Sequence, residues 1–116
     1  MVLCSWSDAD RAIVEVAGDL DFGTAPRLRE VLLELHQAAR DLVIVEMSAA
    51  DFMDSSGLGA LLSGVKRAAA AGGVLVLAGA PERVLRVLRV TGVVQVLPVF
   101  ATLDEALAHL DEMARR

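Results

Sequence analysis

Residues 52–59 read Phe52-Met53-Asp54-Ser55-Ser56-Gly57-Leu58-Gly59. Before this octet, residues 42–45 form a continuous apolar run rich in β-branched side chains, which is typical of a strand buried on both faces. After it, apolar residues recur at the spacing of one buried helix face, at Leu58, Leu61, Leu62 and Val65. The octet is therefore predicted to connect a strand to a helix. In open α/β sheets, such connections at the carboxyl ends of strands are where sites usually lie.

The start of this predicted helix has two further features. Asp54, Ser55 and Ser56 favour the N-cap position, because a short side-chain oxygen can accept hydrogen bonds from the free amides of the first turn. Two of the other first-turn residues are glycines, Gly57 and Gly59. The side opposite the apolar stripe carries small residues and one arginine: Ala60, Ser63, Gly64 and Arg67. A surface of small residues lets another backbone approach closely. The sequence leaves open whether that neighbour is a partner protein or another element of this chain.

Length and composition narrow the class of protein. A chain of 116 residues has room for one domain and one core, so residues 1–116 are predicted to form a single domain. No apolar run reaches the roughly 18 residues of a membrane span, and the N-terminus lacks the pattern of a signal peptide. The single cysteine, Cys4, cannot form an internal disulfide, so we expect a cytoplasmic protein. The net charge of −5 argues against nucleic acid as a direct partner.

The order of elements predicts the fold class. Apolar runs bounded by turn residues predict strands at 2–6, 11–17, 42–46 and 74–78 and a last short strand within 93–100. Helical stripes follow Thr24, Asp54, Pro81 and Thr102, of which Thr24 is a plausible N-cap and Thr102 begins a capping box. The turn at 7–10 is short, which favours an antiparallel hairpin. The pattern predicts an α/β fold with one mixed, mainly parallel sheet of four to five strands, covered by about four helices.

The sequence does not support a catalytic site. His36 and His109 fall outside the apolar stripes of their helices and have no second ligand placed beside them, so no metal site is predicted. The glycines at 57 and 59 lack the third glycine of a dinucleotide fingerprint, and no Walker lysine follows them. Ser55 and Ser56 have no histidine base, which argues against a serine hydrolase. We therefore expect neither an enzyme nor a cofactor.

Two groups of charged residues remain. Three arginines share one flank of a helix, where a solvated face is the usual explanation and an anion or partner contact the minority one: Arg83, Arg86 and Arg89. Four carboxylates lie in or near strand-end turns: Asp19, Asp21, Asp51 and Asp54. Caps and turns explain each carboxylate singly, whereas several of them near one serine suggest a polar recognition surface.

The octet at 52–59 resembles the signature of the STAS domain, specifically that of the bacterial anti-sigma factor antagonists. The resemblance extends over nearly the whole chain. It includes Gly18-Asp19-Leu20-Asp21, Thr24-Ala25-Pro26, Gly72-Gly73, Thr91-Gly92 and the terminal helix. The family pattern more often has glutamate where this chain has Asp19, which is a conservative departure.

The resemblance implies a regulatory switch without catalysis of its own. The unphosphorylated antagonist would bind an anti-sigma factor that is also a serine kinase, and so free a sigma factor. The kinase would use ATP to phosphorylate Ser55, and a PP2C-type phosphatase would reverse the modification. A phosphate at a helix N-terminus is favoured by the amides and the dipole, so the effect is expected at the partner surface and not on the fold.

The expected partner-binding residues are taken from these motifs and from the small-residue side of the helix: Asp21, Thr24, Asp54, Ser56, Gly57, Leu58, Gly59, Ala60, Ser63, Gly64 and Arg67. For Ser56 we expect a cap or a contact. Two other roles remain open for a STAS domain. One is a subunit of a larger assembly, such as a stressosome or a transporter, and the other is a sensor of a nucleotide or another small molecule.

Overall fold

The computed structural model describes residues 2–8 and 10–115. Five strands and four α-helices follow one another in the predicted order: β1 (Val2–Asp8), β2 (Arg11–Leu20), α1 (Ala25–Gln37), β3 (Leu42–Met53), α2 (Ser55–Ala70), β4 (Val74–Ala78), α3 (Glu82–Val90), β5 (Val99–Phe100) and α4 (Leu103–Ala114). A 3₁₀ turn at Val93–Gln95 precedes β5, so only the end of the segment 93–100 is a strand.

The strands form one sheet in the order β1-β2-β3-β4-β5. β1 runs antiparallel to β2, and the other neighbouring pairs are parallel. Parallel neighbours require a crossover, and each of α1, α2 and α3 supplies one, whereas β1 and β2 need only a tight turn. The predicted mixed, mainly parallel sheet is confirmed. The hairpin turn is shorter than the predicted 7–10, because β1 continues to Asp8 and β2 begins at Arg11; Ala9 lies outside the described residues.

Helices cover the two faces of the sheet unequally. α1, α2 and α3 pack on one face, and their stripes join the strands in the larger core, for example Leu28, Leu32, Leu61, Val84 and Leu88. On the other face α4 supplies Ala106 and Leu110, which pack against Ile13, Ile44 and Val76. At the start of α4 the Thr102 hydroxyl accepts from the Glu105 amide at 3.2 Å, as the capping box predicts. The reciprocal bond runs from the Ala101 amide to Glu105 Oε2, one residue earlier than in the usual box.

β3 is longer than the sequence predicts. Residues 42–46 pair with β4, but the strand continues to Met53 and pairs with β2 as far as Leu20. The extension lacks the β-branched run of the first half, and its pairing with β2 is irregular, with register shifts between Glu15 and Ala17 and between Gly18 and Asp19. As a result, the octet does not form a long turn. Its first two residues are strand, one residue connects, and α2 begins beside the end of β2.

Candidate functional site

Asp54 is the single residue that joins β3 to α2. Its backbone is extended, with φ −104° and ψ −173°, which is the usual conformation of an N-cap residue. Its side-chain Oδ1 accepts hydrogen bonds from the amides of Ser56 at 2.8 Å and Gly57 at 3.1 Å. Of the three residues predicted to favour this cap, Asp54 is the one that fills it.

The same carboxylate also reaches a second part of the chain. The Phe22 amide donates to Asp54 Oδ2 at 3.0 Å, and the Asp54 amide donates to the Leu20 carbonyl at 3.1 Å. One side chain therefore holds the start of α2 and the loop after β2 in a fixed relation. Because 32 positions separate Phe22 from Asp54, only the pairing of β2 with β3 brings them together.

The loop at 21–24 is closed by its own polar side chains. Asp21 Oδ1 accepts from the amides of Gly23 at 3.0 Å and Thr24 at 3.2 Å. The Thr24 hydroxyl accepts from the Asp21 amide at 2.8 Å and donates to the Asp19 carbonyl at 2.9 Å. Thr24 does occupy the N-cap position of α1, but its hydroxyl bonds backward into the loop, so it does not cap the helix amides. Asp21 and Thr24 thus build the loop, and their predicted contact with a partner stays a prediction.

Ser55 and Ser56 differ in accessibility. Ser55 is the first residue of α2 and is exposed, whereas Ser56 is half-buried. Of the two roles expected for Ser56, the cap belongs to Asp54, and a contact with a partner stays a prediction. A negatively charged group on Ser55 would lie at the N-terminal end of a helix of 16 residues, where the helix dipole favours it, while Asp54 already accepts from the Ser56 and Gly57 amides.

The double role of Asp54 gives a prediction about stability. Replacing Asp54 by alanine removes the acceptor for three amides and is expected to destabilise the protein by about 1–2 kcal/mol. Asp54→Asn keeps one oxygen for the helix cap but loses the second acceptor, so it should lower the stability by less than Asp54→Ala does. Urea denaturation of the three proteins measures this. If Asp54→Ala were as stable as the wild type, the carboxylate would not hold the two segments together.

The small-residue side of α2 is partly a packing surface within the domain, which corrects the sequence prediction. Four residues expected at the partner surface are buried: Gly57, Leu58, Ala60 and Gly64. A Cβ atom at Gly64 would lie 2.7 Å from Leu75 Cδ1 and 2.9 Å from Leu32 Cδ1, so β4 and α1 close over this position. The apolar stripe of α1 needs a neighbour, and α2 provides one that allows close approach. Of the two interpretations left open, the internal neighbour is correct for these residues.

The other partner-binding residues predicted farther along α2 lie in two separate places. Gly59 and Ser63 are half-buried beside Arg29 of α1, whose Nη1 donates to Ser63 Oγ at 3.0 Å. Arg67 lies three turns beyond Ser55, about 18 Å along the helix axis. There it lines a small crevice with His36, Arg40 and Asp41. Arg67 is therefore not a neighbour of the turn at Ser55.

Sequence reasoning missed two exposed aromatic side chains near this turn. Phe22 is 81% exposed in the loop that Asp54 holds, and Phe52 is 48% exposed near the end of β3. A shallow depression beside Phe22 is lined by Ala25, Pro26, Arg29 and Ser56. The signal for Phe22 was available, because a phenylalanine between Asp21 and Gly23 belongs to no apolar stripe.

The other polar groups singled out in the sequence lie elsewhere. His36 Nδ1 lies 2.8 Å from Asp41 Oδ1. The His109 and Phe100 rings are tilted by 37° to each other, with their centroids 5.1 Å apart. Arg89 pairs with Glu82 at 2.8 Å. Within the described part of the chain, no three His, Cys, Asp or Glu side chains are grouped so as to hold a metal ion. Of the helices described, none combines the length and apolar character needed to cross a membrane.

Comparison with known proteins gives this geometry a context. The profile of the STAS domain matches residues 7–106, which is most of the chain. The chain belongs to the STAS domain family. A relative named anti-sigma-B factor antagonist, from Bacillus subtilis, is 35% identical over 88 residues, which cover 76% of this chain and 80% of the relative.

Solved structures show the same fold. An anti-sigma factor antagonist from Mycobacterium paratuberculosis superposes with a TM-score of 0.85 at 23% identity, covering 95% of this chain and 93% of that chain. The anti-sigma factor antagonist SpoIIAA in its unphosphorylated form gives a TM-score of 0.83 at 21% identity, with 96% and 97% coverage. Its phosphorylated form gives 0.74 at 22% identity, with 93% and 98% coverage.

Proposed function

We propose that this STAS domain is an anti-sigma factor antagonist of the cytoplasm, controlled by phosphorylation of Ser55. The observation that carries the proposal is an exposed serine at the first position of α2. The preceding Asp54 side chain fixes this position, because it is hydrogen-bonded both to the start of α2 and to the loop after β2. The name of the 35% identical relative, anti-sigma-B factor antagonist, supports an anti-sigma factor as the partner. We propose that this factor is also the serine kinase that modifies Ser55. In the unphosphorylated state the domain binds that factor and frees a sigma factor, and it catalyses no reaction itself.

The modification is a phosphoryl transfer to the Ser55 hydroxyl. A bond forms between Ser55 Oγ and the γ-phosphorus of ATP, the bond to the ADP oxygen breaks, and the serine proton leaves to the kinase or to water. A PP2C-type phosphatase hydrolyses the ester and restores the hydroxyl. The phosphate adds about −1.5 to −2 charges beside Asp54. A partner surface that accepts a neutral serine at this place would have to accommodate both the bulk and the charge.

The assignment of the acceptor is tested by mapping the modified residue. Wild type, Ser55→Ala and Ser56→Ala are each incubated with ATP and the anti-sigma kinase of the same genome, followed by intact-mass and peptide mass spectrometry. We expect one phosphate on the wild type and on Ser56→Ala, and none on Ser55→Ala, because Ser55 is exposed and Ser56 is half-buried. Equal phosphorylation of Ser55→Ala would place the acceptor elsewhere.

A further inference from the structure

We infer that Phe22 is the apolar anchor of the partner-binding surface, and that the partner places an aliphatic side chain against it and a carboxylate opposite Arg29. The inference rests on the proposed function, because the partner is the anti-sigma factor named there. The depression defined by Phe22, Ala25, Pro26, Arg29 and Ser56 is called the Phe22 depression below.

The exposure of Phe22 needs an explanation. Its side chain is 81% exposed, although burying a phenylalanine side chain is worth about 1.5–3 kcal/mol. The residue is not on a loose segment, since its amide is bonded to Asp54 and the loop around it is closed by Asp21 and Thr24. A rigid aromatic side chain loses little conformational freedom on binding, and such residues supply much of the affinity of protein interfaces.

The Phe22 depression is continuous with the turn that carries Ser55. Ser56 lies in its wall, and Asp54 bonds both to the Ser56 amide and to the Phe22 amide. A partner that covers Ser55 would therefore meet the Phe22 ring in the same contact. The apolar part of the depression, formed by Phe22, Ala25 and Pro26, fits an aliphatic side chain.

Arg29 determines the charge of the matching group. Its guanidinium is exposed and donates through Nη1 to Ser63 Oγ. A guanidinium has five N–H donors, so a single bond to a hydroxyl leaves donors for a carboxylate of the partner. A partner carboxylate at this place would also be repelled by a phosphate on Ser55, which links recognition in the depression to the switch.

The test compares two residues of equal exposure. Phe22 and Val90 are both 81% exposed, and Val90 is the last residue of α3, on a different element from the loop and from Ser55. Affinity for the anti-sigma kinase is measured by calorimetric titration for wild type, Phe22→Ser, Val90→Ser and Arg29→Gln, with thermal unfolding of each protein. We expect Phe22→Ser to bind about 30-fold more weakly or worse, the effect of losing an interface anchor. Arg29→Gln should bind about tenfold more weakly.

Val90→Ser is expected to bind within about twofold of the wild type, because rim and remote positions contribute little. All four proteins should unfold at similar temperatures, since neither exposed apolar side chain supports the core. Equal binding of Phe22→Ser and wild type overturns this inference and leaves the proposed function intact. If the wild type binds no anti-sigma kinase of its genome, the proposed function fails and the inference with it. If Phe22→Ser instead abolishes self-association of this protein, the occupant is a second copy, and the assignment to the anti-sigma factor is wrong.

Discussion

Phosphorylation of Ser55 is expected to weaken binding to the anti-sigma factor by a factor of about 10² or more while the fold stays intact. The loss of affinity follows from burying an uncompensated charge at an interface. The domain itself has little reason to unfold, because Ser55 is exposed and the N-terminal end of α2 favours an anion. That helix-end effect amounts to only about 0.3–1 kcal/mol, and repulsion from Asp54 offsets part of it.

The measurement compares the truly phosphorylated protein with the unmodified one. Calorimetry gives the melting temperature of each form, and titration gives the affinity for the anti-sigma factor. Ser55→Asp serves as a partial mimic, since aspartate carries less charge than phosphate. A phosphoprotein that melts far below the unmodified form, or whose backbone amide signals change throughout the sheet, would show that the switch is conformational.

Gly57→Ala is expected to cost the protein about 1–3 kcal/mol of stability, although it adds a single methyl group. A Cβ atom at this position would lie 2.6 Å from the Leu20 carbonyl oxygen and 2.7 Å from Leu20 Cγ. The first of these contacts is with backbone, which cannot turn aside as a side-chain end can. The start of α2 would have to move away from the end of β2, and the bond between the Asp54 amide and Leu20 would be strained with it.

Gly59→Ala is the matched control, because it adds the same atom one half-turn further along α2. Its Cβ would meet only Arg29 Nη2 at 3.0 Å, the far end of a flexible side chain. Alanine is a better helix former than glycine by up to about 1 kcal/mol, so this variant should be as stable as the wild type or more so. Urea denaturation of both variants and the wild type measures their free energies of unfolding. Equal stabilities would mean that the contact between α2 and the end of β2 is not tight.

The order of elements and the sheet type could be predicted because each depends on local patterns. Three such patterns each predict their own element without help from the rest of the chain: the run at 42–45, the stripe of α2 and the short turn before Arg11. The length of β3 could not be predicted, since residues 47–53 are held by pairing with β2, a contact distant in sequence, and show no regular alternation.

In the candidate site, too, some features have a local signal in the sequence and others do not. The cap at Asp54 joins a side chain to the amides two and three positions later, and the sequence narrows the cap to Asp54, Ser55 or Ser56. The burial of Ala60 and Gly64 does not follow from their own helix, because a face of small residues suits a neighbouring helix and a foreign protein equally well. At Gly64 the positions of Leu75 on β4 and Leu32 on α1 distinguish the two. The bond between Phe22 and Asp54 likewise has no local signal, since it depends on the register of β2 and β3.

The carboxylate of Asp54 also bears on how a kinase would recognise this substrate. Ser55 is displayed beside a loop more than thirty positions earlier in the chain, and the two are neighbours only after the sheet has formed. A short peptide that spans residues 50–60 would contain the serine without the surface around it. A kinase that recognises this surface recognises a folded epitope. Newly made or damaged chains would therefore not be phosphorylated until they fold. Regulation would then act only on antagonist molecules that are able to bind.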